Sequence, residues 1–291
     1  MNYFMFVFCV LVWGSSYWFA KLQVHFAPPE FSLMMRLIIA LIFFFFIRVI
    51  SHKPQKSYSM SQYANIGVFG VCNFTLGYLF LYLATSLMSS GLVIVIFSFK
   101  SILTPVLLTM KNKEKINTQL MYGAAVAMVG IILLTHDSLL ASKTSLLGIL
   151  YAVIGTFITS IGDLCSAKNA RDKISPVSAN LIGLCFAIPV MIILNINNSH
   201  YVVQLVNAYY LGTVLYLGII ASGVAWLFYL LLIKNIGAVR ASYMVAIFPC
   251  VGCLMSVFFE NMHFSINIAV GLCLEVVGLL VAFKRKVHKH T

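Results

Sequence analysis

The sequence predicts an all-α polytopic membrane protein of roughly ten transmembrane helices, at about 20 residues per crossing, built as two inverted copies of a five-helix repeat. Three observations lead there. The 291 residues are 62% hydrophobic and 9% charged, with a mean hydropathy of +1.00, whereas a soluble domain carries about 45–50% apolar and about 25% charged residues. The basic residues gather in alternate loops, and landmark residues recur at a nearly constant separation.

Apolar runs bounded by polar or Pro/Gly breaks define the elements in order. The first span, near residues 3–20, has no basic region or cleavage site ahead of it and reads as a retained helix rather than a removed signal peptide. The others fall near 29–50, 63–84, 88–109, 117–135, 145–167, 175–195, 208–232, 238–259 and 265–283. A net charge of +12 would suggest nucleic acid in a soluble chain. Here the basic residues sit at span ends, which points to topology and to no nucleic-acid partner. Arg48, Lys53 and Lys56 follow the second span, Lys111, Lys113 and Lys115 the fourth, and Lys168, Arg171 and Lys173 the sixth. Lys234 and Arg240 follow the eighth; Lys284, Arg285, Lys286 and Lys289 follow the tenth. Lys21, Arg36 and Lys143 are left on the opposite side, and Lys100 lies inside a span. The positive-inside rule then makes both termini cytoplasmic. The seven cysteines all lie in apolar stretches, so a disulfide framework is not expected, and Cys250 and Cys253 read as small buried residues rather than a metal site.

A shift of 144 to 148 residues aligns Gly70 with Gly218, Gly91 with Gly237, Pro105 with Pro249, Glu114 with Glu260 and Gly130 with Gly278. The chain divides into residues 1–140 and 141–291, the second copy ending in a short basic cytoplasmic tail. Each copy has five spans; five is odd, so the second copy enters the membrane from the opposite face, as in many secondary transporters.

The residues resemble the EamA-type members of the drug/metabolite transporter superfamily. Trp13-Gly14-Ser15-Ser16 with Lys21, Pro28-Pro29 leading to Arg36, and Gly91, Pro105 and Glu114-Lys115 carry the likeness, with Gly237, Pro249 and Glu260 repeating the series. The resemblance implies ten helices, a central cavity lined mainly by spans 1, 3, 4, 6, 8 and 9, and alternating access. The expected location is a prokaryotic cytoplasmic (inner) membrane. The sixth span lacks the Trp that usually matches Trp13, and Lys100 and Asp163 are charges most relatives would not carry there.

A charge at bilayer depth costs ~2.5–3.5 kcal/mol on the insertion scale, which makes each one a functional candidate. Lys100 shares a helix face with Phe97, Ser101 and Thr104. It reads as a ligand for a substrate carboxylate or phosphate, with Ser101 and Thr104 as hydrogen-bond partners, or as half of a structural pair with an acidic neighbour. Asp163 lies on a stripe with Thr156, Thr159, Ser160 and Ser166. It reads as an amine ligand or proton carrier, or as a bridge to Lys168. Glu275 lies on the small-residue face of Gly271 and Gly278, matching Ala127 between Gly123 and Gly130. Such faces serve close packing or a homodimer contact; proton coupling is the alternative.

Phe74 and Tyr78 in the third span, and Trp226 and Tyr229 below Ser222 in the eighth, could wall a cavity or simply pack. The same holds for Trp13 and Ser16. Trp18, Tyr201, Tyr209 and Tyr210 read as an interfacial belt. Pro105 and Pro249, at matched places inside spans, each remove a backbone hydrogen bond and suggest paired gates or plain kinks.

An intramembrane enzyme is disfavoured. The histidines lie outside the spans' interiors, there is no GxSxG, and a lone aspartate at depth cannot build a carboxylate dyad. No nucleotide-binding loop is present, so ATP is not the direct energy source, and no cofactor or metal is expected. The sequence therefore points to a secondary transporter of a small organic metabolite in the lipid bilayer. The favoured substrate is an amino acid or derivative, S-adenosylmethionine-like, whose two charges meet Lys100 and Asp163. An anionic sugar or nucleotide phosphate on Lys100, or a channel-like facilitator, is the alternative.

Overall fold

The computed structural model describes residues 1–51, 57–113, 118–140, 145–238, 241, 243–262 and 265–283. Among these the chain is all-helical, with no strand, and seven helices are long and apolar enough to cross a membrane. In chain order these are α1 (Asn2–Val24), α2 (Pro29–Ile50), α3 (Met60–Leu87) and α4 (Ser90–Lys111), then, after α5 (Thr118–Leu140), α6 (Leu146–Arg171), α7 (Pro176–Leu194) and α8 (Ala208–Ile236). α5 joins α9 (Phe248–Phe259) and α10 (Ile266–Phe283) in carrying shorter apolar stretches where the fifth, ninth and tenth spans are expected. The boundary proposed at 141 and the basic tail lie outside the described residues.

Local chemistry sets the helix starts. Pro29 and Pro176 open α2 and α7, where a missing N–H costs nothing. Ser59 and Gln62 form a capping box at the head of α3. α8 stops at Gly237, whose φ of 85° glycine adopts freely. On α2, Leu33, Leu37, Ala40 and Phe44 are fully buried while Ile42, Phe45, Phe46 and Val49 are exposed, the division expected between a bundle interior and lipid.

Two irregularities shape the interior. α3 and α8 each pass through a π-helical stretch, Val71–Leu76 and Tyr216–Val224, around the repeat-matched Gly70 and Gly218. α4 is broken at Phe99, between Ser98 and Lys100, and α9 begins only at Phe248 after a 3-10 turn over Tyr243–Ala246. The prolines are therefore not equivalent. Pro105 sits inside α4, whereas Pro249 is in the first turn of α9 and removes no interior hydrogen bond. The paired loss expected from their sequence match is thus not what the structure has.

Helix contacts recur with the halves exchanged. α1 packs on α8 and α9 as α6 packs on α3 and α4, and α2 meets α8 as α7 meets α3. α5 and α10 pack on each other, with Gly123, Gly130, Gly271 and Gly278 buried, so the small-residue faces are used within the chain. The Glu275 side chain lies outside the described residues. Tyr210, expected at the interface, is instead fully buried and shares a hydrogen bond with Ser32 Oγ at 3.0 Å.

Gly70 is the tightest crossing: a Cβ there would stand 2.1 Å from the Gly183 carbonyl oxygen of α7, a backbone atom. Gly212 in α8 has open space instead. Gly70→Ala is expected to lower folded yield and melting temperature sharply in detergent. Gly212→Ala should be neutral or gain about 0.5–1 kcal/mol from helix propensity. Equal melting temperatures for the two variants would contradict the crossing.

Candidate functional site

The interruptions in α3, α4, α8 and α9 surround a narrow central cavity of about 40 Å³, room for only a few waters at about 10–15 Å³ each. It is lined by Trp13, Ser16, Tyr17 and Ala20 of α1, Asn73, Tyr78 and Tyr82 of α3, and Phe97 and Lys100 of α4. Thr159 of α6, Trp226 and Tyr229 of α8, Val245 and Phe248 complete it, together with Arg36 of α2 and Leu81 and Thr85 of α3. A larger recess between α4, α5 and α6 is walled by Met128, Ile132, Val153 and Phe157, all exposed on the outside of the bundle.

The aromatic side chains form one connected box. The Trp226 ring lies edge-on to Trp13, Phe69, Phe74 and Tyr229, with centroids 4.9 to 5.7 Å apart. Trp226 Nε1 donates to Tyr78 Oη at 2.6 Å, joining two residues 148 positions apart in the chain. Within the π-helical stretch of α8, the Ala221 carbonyl accepts from Trp13 Nε1 at 2.9 Å. Each polar tip in this apolar box thus has a partner, as burial requires.

Lys100 is the first residue of α4 beyond its break, and its Nζ lies 3.1 Å from Asp163 Oδ2 and 5.3 Å from the Phe97 ring centre. Tyr229 Oη donates to the same carboxylate oxygen at 2.9 Å. Lys100 and Asp163 side chains are 5% and 1% exposed, so their attraction acts at low dielectric. Asp163 therefore pairs with Lys100 across the bundle and not with Lys168 along its own helix. Thr104 stands by this carboxylate. Ser160 turns back to the Thr156 carbonyl at 2.8 Å, and Ser16 to the Trp13 carbonyl at 2.8 Å. Of the residues expected to form the site, Trp13, Ser16, Tyr78, Lys100, Trp226 and Tyr229 line the cavity, while Ser101, Thr104, Ser160 and Asp163 lie behind its wall.

The sequence reading missed Arg36, which it assigned to a span end. Arg36 is 3% exposed and lines the cavity. Its Nε donates to Ser222 Oγ at 2.7 Å and its Cζ lies 4.3 Å from the Tyr78 ring centre. Tyr82 Oη, 3.5 Å from Nη1, donates to Gln23 Oε1 at 3.1 Å. Asn73 was missed too; it is fully buried, and neither amide atom has a hydrogen-bond partner among the described residues. It lies against Gly162 of α6.

At the face where α1 ends, Lys21 Nζ lies 3.2 Å from Glu260 Oε2 and donates to the Met88 carbonyl at 3.0 Å. Ser90 N donates to Glu260 Oε2 at 3.0 Å, and Ser90 Oγ bonds the same carboxylate. Thus α1, α4 and α9 are laced together over the cavity.

The EamA-like transporter family profile matches residues 1–136 and 146–284, once in each half. A transporter of Clostridium kluyveri described as uncharacterized is 21% identical over 175 residues, which is 59% of this chain and 56% of that protein. A crystal structure of a protein superposes with a TM-score of 0.70 at 18% identity, over 97% of both chains, and shares the fold. With its profile matched in both halves, the chain belongs to the EamA-like transporter family.

Proposed function

We propose that the protein is a secondary transporter carrying a small organic metabolite across a membrane by alternating access, with the central cavity as its binding site. The observation that carries this is the aromatic box lined by two buried cations, Arg36 and Lys100, with the Asp163 carboxylate behind its wall, beside the π-helical interruptions of α3 and α8. Irregular backbone around a midplane site, inside a bundle whose contacts recur with the halves exchanged, is how inverted-repeat transporters rock about a fixed centre. The reading has ten spans in two inverted sets of five, both termini in the cytoplasm, and the Lys21–Glu260 cluster on the outer face. The cavity is too small here for an organic metabolite, so this conformation is a contracted one that must dilate on opening. The short backbone breaks at Phe99 and before Phe248 supply the hinges.

The pairing of Lys100 with Asp163 weighs against a zwitterion held between them. A substrate charge would have to break a buried ion pair to reach either partner. This shifts the reading from S-adenosylmethionine-like amino-acid derivatives toward the anionic class.

Counterflow in proteoliposomes tests the proposal. Vesicles preloaded with an unlabelled metabolite mixture are expected to take up the corresponding labelled compound transiently above equilibrium, and Trp226→Ala should remove most of that overshoot. A pore would equilibrate without overshoot, which would overturn the carrier reading.

A further inference from the structure

We infer that Arg36 anchors an anionic group of the substrate, so that the central cavity selects organic oxyanions, carboxylate or phosphate, carried on an apolar or aromatic body. This rests on the transporter reading and specifies its substrate class.

Arg36 lies seven residues into α2, about 10 Å along the axis at about 1.5 Å per residue. It is 3% exposed and lines the cavity. No carboxylate lies within ion-pair distance of it among the described residues. Its hydrogen bonds run to neutral hydroxyls, Ser222 at 2.7 Å and Tyr82 at a long 3.5 Å, and Tyr78 lies against the guanidinium. A guanidinium has five N–H donors in a planar fork suited to two oxygens of one anion. Most of that fork is left for something other than these partners. Lys100 is paired with Asp163, which leaves Arg36, among the described residues, as a buried positive charge with no carboxylate partner.

A second observation is independent of Arg36. The Asn73 amide, fully buried on the same cavity, has neither its N–H2 nor its oxygen satisfied among the described residues. Asn180 is also unsatisfied at both amide atoms; what sets Asn73 apart is its place on the cavity wall, where a polar group of a ligand could supply the missing partner. An anion on Arg36 would relieve the cation's desolvation, Asn73 would bind a second polar group of the substrate, and Trp226 and Trp13 would hold the organic body.

The test uses probes that share a ring and differ in head group: phenylacetate, phenyl phosphate, neutral phenylacetamide and cationic phenethylamine. Trp13 and Trp226 line the cavity and report binding by fluorescence in purified full-length protein, with Trp18→Phe removing the third tryptophan. At least one anion is expected to bind saturably and at least about tenfold more tightly than the amide and the amine. Whichever anion binds better identifies the carboxylate or the phosphate. Arg36→Gln should abolish the preference and Arg36→Lys should keep part of it. If Arg36→Gln does not fold, a reduced preference in Arg36→Lys at wild-type thermal stability supports the site. Amide or amine binding as tight as anion binding, no saturable anion binding, or an unchanged preference in either variant overturns it. The two readings fail separately. Counterflow of amine or amide untouched by Arg36→Gln would remove the anion site and keep the carrier, whereas anion-selective binding without counterflow of any metabolite would do the reverse.

Discussion

Asp163→Ala is expected to destabilise the protein by about 3–5 kcal/mol, the scale for leaving one partner of a buried ion pair without the other. The reason is the burial of Lys100, which would keep at most the few waters of the narrow cavity and has no other carboxylate within ion-pair distance among the described residues. Detergent melting curves followed by tryptophan fluorescence check it. The informative partner is the double variant Lys100→Met with Asp163→Leu. Replacing both charges by apolar groups of similar size is often neutral or stabilising, so the double variant should regain wild-type stability. If it also transports normally, the pair is a structural brace. If it is stable but inactive, the pair takes part in transport, with Tyr229 holding the carboxylate at 2.9 Å. A stable Asp163→Ala would mean that Lys100 has another way to be solvated and that the pair matters little to folding.

Much of the fold was legible because a bilayer accepts few solutions. Runs of about 20 apolar residues must be helices, and the seven long helices fall where the hydropathy places them. The recurrence of Gly70 at Gly218 marked the two π-helical stretches without showing that they were π-helical, since no residue type signals an extra residue in a turn. Lys100 and Asp163 stood out as charges in apolar runs, but a sequence without a contact map cannot show that they touch. Arg36 was hidden by position. Seven residues into a span, it could equally snorkel to the surface or turn inward, and only the packing of α2 against α8 and α3 decides between them. The available signal was Ser32, one helical turn before it on the same side, and Tyr78 and Tyr82 a turn apart in α3, which offer two ring faces to a cation. Asn73 had no signal beyond being a polar residue at depth.

Glu260→Ala is expected to open the closed face. The carboxylate accepts from Lys21 Nζ, from Ser90 N and from Ser90 Oγ, so it ties α9 to α1 and to the head of α4 at one point. Hydrogen bonds to a charged group contribute about 1.5–3 kcal/mol each. Lys21 is 29% exposed at its side chain and that ion pair is partly screened, so the Ser90 bonds carry most of the effect. Losing about 2–3 kcal/mol from the closed state alone would raise the open population by about 30–150-fold. A reporter at Ala20→Cys, which lines the cavity, measures this in a background lacking the seven native cysteines. Its reaction with an impermeant thiol reagent added from the side of the Lys21–Glu260 cluster should accelerate by at least an order of magnitude in Glu260→Ala. Glu260→Gln, which can still accept from Ser90, should lie between that variant and wild type. The carrier as a whole should remain folded, because Gly91 N and Ser90 Oγ keep their bonds to Ser256 Oγ at 2.7 and 3.0 Å. On the proposed alternating-access cycle the variant should transport more slowly, since a face that no longer shuts holds back the half of the cycle open to the other side. An unchanged labelling rate would show that the apolar contacts of Trp18 with Phe259, 4.6 Å between ring centres, and not the ions, hold this face closed.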